Sequence, residues 1–150
     1  MKPLIVLVFV FLSSCIATKI FKGNIEFALS GRVAMSTMLI FTAVSHFIFT
    51  QGMEMMLPGF IPYKTEVVYL TGIIEIVAAI GIFIPSVRML AAWLVIAFFI
   101  LVLPANIYAS INQVNIEKAS FEGKGSAYLW FRIPLQVFFI IWVYFSAIKK

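Results

Sequence analysis

Five long apolar runs separated by short polar connections set the pattern of this chain: Pro3–Ile20, Gly31–Thr50, Glu66–Ile84, Arg88–Tyr108 and Ala127–Ile148. Each is close to the roughly 17–25 residues a helix needs to cross the hydrocarbon core of a bilayer. Lipid offers the backbone no hydrogen-bond partner, so runs of this kind must satisfy their own N–H and C=O groups as helices. The pattern predicts an all-α integral membrane bundle. In the second connection, Gln51–Thr65, the Pro58-Gly59 pair and Pro62 break any long helix. Its apolar residues, Met53, Met55, Met56, Leu57, Phe60 and Ile61, suit either a short interfacial element lying over the bundle or an ordinary amphipathic connector. The turn Pro85-Ser86-Val87 is so short that the third and fourth runs must be antiparallel neighbours. Ser110–Ser126 is the most polar stretch and reads as a solvent-exposed connection.

Composition strengthens this picture. Of 150 residues, 63% are hydrophobic and 11% charged, against roughly 45–50% apolar and 25% charged in soluble domains. The net charge of +5 does not point to nucleic acid, because the basic residues stand singly between apolar runs instead of forming a basic face. They serve better as a topology signal. If the first run spans, Lys19, Lys22, Arg32, Arg88, Lys149 and Lys150 fall on one side, and Lys2, Lys64, Lys118 and Lys124 on the other. The six-to-four excess puts the amino terminus outside and the carboxyl terminus in the cytoplasm. Residues 1–22 also have an alternative reading, since Lys2, an apolar run and Leu12-Ser13-Ser14-Cys15 resemble a cleavable lipoprotein signal. Cleavage would leave the six charges outside against three inside, so the charge rule favours a retained helix followed by a membrane domain over 28–150. A lone cysteine, Cys15, excludes an internal disulfide, and a lone histidine, His46, excludes a bis-histidine haem or a histidine-rich metal cluster within one chain. No metal site and no covalently bound cofactor is expected.

The candidate chemistry lies where polar groups interrupt the apolar runs. Glu75 stands in the middle of YLTGIIEIVAAIGIF. An acidic side chain at mid-bilayer costs about 2.5–3.5 kcal/mol on insertion scales, so it is expected to face the bundle interior and have a partner. With a rise of about 1.5 Å per residue, Glu75 lies roughly 13 Å deep, and Arg132 about 6 Å shallower, a gap an extended guanidinium can bridge. His46, Asn106, Arg132 and Gln136 all come from the ends of helices that face one membrane surface, above Glu75. By the charge count this is the outer leaflet. Tyr69, Gly72, Glu75 and Ala79 form one stripe of the third run, and small residues there permit close helix approach. Pro104 and Pro134 frame the cluster. A Glu75–Arg132 pair has two readings: a ligand or proton site, or an ion pair that fixes helix order. His46, Asn106 and Gln136 likewise serve either as walls of a site or as interhelical hydrogen-bonders.

Taken together, His46-Phe47 closing the second run, Tyr69-Leu70-Thr71-Gly72 leading to Glu75, Pro104-Ala105-Asn106-Ile107 and Arg132-Ile133-Pro134-Leu135-Gln136 resemble the DoxX family of small bacterial membrane proteins. The resemblance extends over Gly31–Tyr144 and includes the PGFIP loop. Each motif is weak singly; four in order are more specific. What the resemblance implies is a four-helix membrane core, to which residues 1–22 add a helix, in the bacterial inner membrane. It also implies a redox association, since the namesakes of the family look like subunits of a membrane thiosulfate:quinone oxidoreductase. The absence of a dithiol pair argues against a self-contained thiol-redox enzyme.

The expectation is therefore a redox-associated membrane subunit with an outer-leaflet cavity for a small lipophilic molecule such as a quinone. Glu75 would be the buried acid or proton acceptor, Arg132 would hold its charge or contact a ligand carbonyl, and His46, Tyr69, Asn106 and Gln136 would line the site. Expected partners are the lipid bilayer and a membrane oxidoreductase or a second copy of the chain. The alternative is a non-catalytic accessory or assembly subunit whose polar cluster is structural.

Overall fold

The computed structural model describes residues 2–149, which form six α-helices: α1 (Lys2–Lys22), α2 (Phe27–Ile48), α3 (Thr50–Glu54), α4 (Lys64–Gly81), α5 (Arg88–Ile111) and α6 (Ser126–Val143). The protein is an all-α helical bundle. Five of the helices correspond to the five apolar runs, and α3 is a short helix at the start of the second connection. A π-helical turn, Tyr144–Ile148, continues α6. Four helices, α1, α2, α5 and α6 with its π turn, are long and apolar enough to cross a membrane, and the chain is a membrane protein. The fifth expected span folds as α4 but is not one of these four: Lys64, Glu66 and Glu75 lie within its 18 residues.

The core forms where the helices turn their small and apolar faces inward. Ala34, Met35, Met38 and Leu39 of α2 meet Ala78, Ala79 and Ile82 of the α4 end, Ala91, Ala92, Val95 and Phe99 of α5, and Leu135, Phe139 and Val143 of α6. Alanines on α4 and α5 keep the side chains short there, so the backbones approach closely. Helix α1 packs on α2 with Leu7 fully buried in this core, and Phe11 meets Trp142 edge-on at 4.8 Å between ring centroids. The outward faces, including Phe9, Val77, Leu90, Trp93, Leu101 and Trp130, are exposed apolar surface, as suits helices solvated by lipid. Pro104 leaves the carbonyl one turn before it without a backbone donor, yet α5 runs on through it to Ile111.

The connection expected to be merely solvent-exposed, residues 112–125, is a compact loop. Asn115 and Ser120 exchange backbone hydrogen bonds (2.7 and 3.3 Å), Asn115 Oδ1 accepts from the backbone N–H groups of Glu117 and Lys118, and Ser110 Oγ donates to the Gly125 carbonyl at 2.6 Å. It packs on α3 so closely that a Cβ at Gly52 would lie 1.9 Å from the Ile116 carbonyl oxygen. Lys2 Nζ reaches Glu117 Oε1 at 2.5 Å. These contacts gather the start of α1, α3 and the α5–α6 loop at one end of the bundle. The other end holds Lys19, Lys22, Arg32, Arg88 and Lys149, the two groups the charge count separated; Lys150 lies outside the described residues.

Candidate functional site: a buried carboxylate facing a histidine

Glu75 lies on the inward stripe of α4 and is 5% exposed. Its partner comes from α2: Oε2 stands 3.6 Å from His46 Nε2. Gly72, one turn earlier on α4, makes this approach possible, because a Cβ there would come within 3.0 Å of the His46 Cβ and 3.2 Å of the Phe47 ring. The other ring nitrogen is fixed as well. His46 Nδ1 lies 3.1 Å from the Val68 carbonyl oxygen and 3.0 Å from Thr71 Oγ1, while Thr71 donates its own hydroxyl hydrogen to the same carbonyl at 2.8 Å. A carbonyl only accepts, so the Val68 contact is a hydrogen bond when Nδ1 carries a hydrogen; a bare Nδ1 would instead accept from the Thr71 hydroxyl.

With Nδ1 protonated, Nε2 faces Glu75 as a bare acceptor in the neutral ring and as a second donor in the imidazolium. At 3.6 Å the two atoms are too far apart for a direct hydrogen bond. Glu75 Oε2 is accordingly buried without a hydrogen-bond partner among the described residues. Thr42, one turn before His46 on α2, is the hydroxyl beside this carboxyl, and its hydrogen bonds run to the carbonyls of Met38 and Leu39. A buried unsatisfied acceptor costs about 1–3 kcal/mol, which makes this position a reservoir of strain or a place for a donor.

Arg132 does not form the expected pair with Glu75. It makes no ion pair among the described residues; its guanidinium lies over the Tyr128 ring, 5.5 Å from the centroid. Side chains on an α-helix lean toward its N-terminus, and for α6 that direction leads to the membrane surface, away from Glu75. The guanidinium follows it and rests one turn above its own Cα, acting on Glu75 only through its charge.

Asn106 and Gln136 form a second unit between α5 and α6. Asn106 is fully buried, and its Nδ2 donates to Gln136 Oε1 at 3.0 Å; Gln136 Nε2 donates to the Phe99 carbonyl. The direction of this chain is forced. Because Phe99 offers only an acceptor, Gln136 must turn its amide NH2 to it and its oxygen to Asn106, which leaves Asn106 Oδ1 as a buried acceptor with no donor. Tyr69 stands apart from both units. It is 40% exposed, stacks on Phe47 at 5.6 Å, and lines a cavity of about 440 Å³ between α3, the start of α4 and the 112–125 loop. Of the six expected site residues it alone lines that cavity, whose other walls include Thr50, Glu54, Thr65, Ile116 and Glu117.

Three contributors escaped the sequence reading. The Val68 and Phe99 carbonyls, which hold the histidine ring and the amide direction, carry no side-chain signature. Thr42 did carry one, as a hydroxyl one turn from His46 in an apolar helix. Among the described residues no group of three or more His, Cys, Asp or Glu is placed to hold a metal ion.

The family model described as Domain of unknown function (DUF8561) matches residues 35–147, about three quarters of the chain, and its span takes in all six site residues. No curated protein and no solved structure matches the chain.

Proposed function

We propose that this chain, which belongs to the family described as Domain of unknown function (DUF8561), is a multi-pass protein of the bacterial inner membrane that binds a small lipophilic molecule such as a quinone, as a redox-associated subunit. The observation that carries the reading is Glu75: 5% exposed, its Oε2 without a hydrogen-bond partner and facing the single histidine. Intramembrane ionisable groups mark ligand or proton pathways far more often than they serve packing alone. In this reading the His46–Glu75 couple takes and returns a proton, and Arg132, shallower and free of any acid partner among the described residues, meets a ligand carbonyl. Asn106 Oδ1 accepts from a ligand hydroxyl, Gln136 holds Asn106 in that orientation, and Tyr69 lies on the path from the membrane surface. The DoxX resemblance of these motifs supports the redox association and a membrane oxidoreductase as partner. The excess of basic residues at the end opposite Glu75 supports an outer-leaflet site.

A second reading rests on a different observation. Ser36 Oγ donates to the Ala79 carbonyl at 2.9 Å, and Asn106 and Gln136 tie α5 to α6, so much of the buried polarity holds helices together; the cavity, moreover, is not lined by Glu75. These features suit an accessory or assembly subunit without a ligand of its own. Mass spectrometry of lipophilic molecules that co-purify with the wild type and with Glu75→Gln separates the two. A bound molecule retained by the wild type and lost from a folded Glu75→Gln variant supports the first. A wild type that purifies empty, or a variant that retains the molecule, favours the second.

A further inference from the structure

The end of the bundle opposite Glu75 has its own arrangement of charge. The buried bond from Ser36 to the Ala79 carbonyl sets the register of α2 on α4. One turn further toward this end, Arg32 therefore stands level with the last turn of α4, and there Arg88, the first residue of α5, donates Nε to the Ile82 carbonyl (3.0 Å) and Nη2 to the Phe83 carbonyl (3.5 Å). Arg32 donates Nη1 to the Ser146 carbonyl of the π turn at 3.4 Å. The two guanidinium groups are near enough for their charges to repel. Neither arginine has an ion-pair partner among the described residues: Glu26, the one acid at this end among them, acts on Arg32 through its charge and is itself bonded to Lys22 at 3.0 Å. Arg32 Nε is buried and has no hydrogen-bond partner.

Two like charges held together on neutral carbonyls, with a buried donor left over, suit an anion of tetrahedral, multi-acceptor geometry. We propose that Arg32 and Arg88 form a binding site for the phosphate of an anionic phospholipid. The surroundings favour a membrane lipid over a soluble phosphate. Phe83, Ile84, Val87 and Phe145 are exposed apolar side chains beside the two arginines, a surface for acyl chains, and Lys149 lies over the Phe145 ring at 5.3 Å. Lys19, Lys22 and Lys149 add a positive field that favours an anionic over a zwitterionic headgroup.

The test uses the full chain in nanodiscs of phosphatidylcholine containing a minor fraction of phosphatidylglycerol, with native mass spectrometry of the lipids that stay bound after extraction into detergent. The wild type should retain phosphatidylglycerol in preference to phosphatidylcholine. Arg32→Gln and Arg88→Gln should each lower that retention about tenfold, while Lys118→Gln, which removes one charge from the opposite end of the bundle, should keep it. Circular dichroism checks folding; if a glutamine variant misfolds, Arg88→Lys, which keeps the charge and loses the forked donors, should still lower retention severalfold. Equal retention of the two lipids, or retention unaffected by all arginine variants, overturns the site. Stabilisation of lipid-free protein by inorganic phosphate equal to that by phosphatidylglycerol, and abolished by Arg32→Gln, overturns the lipid assignment in favour of a soluble anion.

Discussion

His46 Nε2 and Glu75 Oε2 face each other at 3.6 Å across the seam between α2 and α4, with His46 Nδ1 tied to the Val68 carbonyl behind it. The other ion pairs among the described residues, Lys2–Glu117 and Lys22–Glu26, are at the exposed ends of the bundle. Inside it, His46 is the ionisable side chain nearest the buried carboxyl, with the Thr42 hydroxyl beside it and the Arg132 charge farther off.

That relationship has a measurable consequence. His46→Ala leaves Glu75 buried without its neighbour and should destabilise the bundle by about 1–3 kcal/mol. Adding Glu75→Gln should recover part of the loss, since a neutral amide is less costly to bury than a charge. Unfolding in detergent micelles at neutral pH reads both; strictly additive losses would show that the two side chains do not interact.

The Asn106–Gln136 bond joins α5 and α6 in the protein interior. Asn106→Leu and Gln136→Leu should each destabilise, and the double variant should lose less than the sum. Double-mutant cycles on such bonds between membrane helices give coupling of about 0.6 kcal/mol, at most about 1.7. A coupling indistinguishable from zero would assign the cost of each variant to packing alone.

Gly52→Ala should loosen the membrane-surface end. Its Cβ would stand 1.9 Å from the Ile116 carbonyl oxygen, a backbone atom that no rotamer change can move. The loop over residues 112–125 must then lift from α3, at about 1–3 kcal/mol, the usual range for overpacking. Trypsin should cut faster at Lys118 and Lys124 in this variant; an unchanged cleavage pattern would mean that α3 shifts instead of the loop.

Lys2 and Glu117 illustrate the opposite case. The Lys2 ammonium holds the Glu117 carboxyl below the usual carboxylate range, so the pair contributes above the ordinary carboxylate pKa and the contribution fades as pH falls through the depressed value. Both side chains are well exposed, at 65% and 58%, and water and salt screen such pairs. Lys2→Gln should leave the neutral-pH unfolding midpoint unmoved, and a clear drop would mean that the pair anchors α1 to the loop.

Much of the fold was legible in the chain because membrane insertion writes depth into hydropathy. The five runs, the tight Pro85-Ser86-Val87 turn and the separation of basic residues between two ends all have counterparts in the structure. The start of α2 was placed four residues late, at Gly31 instead of Phe27, because Ser30-Gly31-Arg32 interrupts the apolar pattern after Phe27-Ala28-Leu29. The 112–125 loop read as open because its order comes from backbone hydrogen bonds and from Gly52 on a distant segment.

The sequence by itself determined the class of the protein, an all-α membrane bundle, and the depth of each polar residue, because apolar length and a constant helical rise depend on no other part of the chain. Only the tertiary structure decided the pairing. Depth pointed to Arg132 as the neighbour of Glu75 and left His46 among the walls above it. The choice fell to helix rotation and approach: Gly72 lets α2 close on α4, and α6 directs Arg132 toward Tyr128 and the surface. Rotation about a helix axis is fixed by the neighbours it packs against, and those are not written in any one segment.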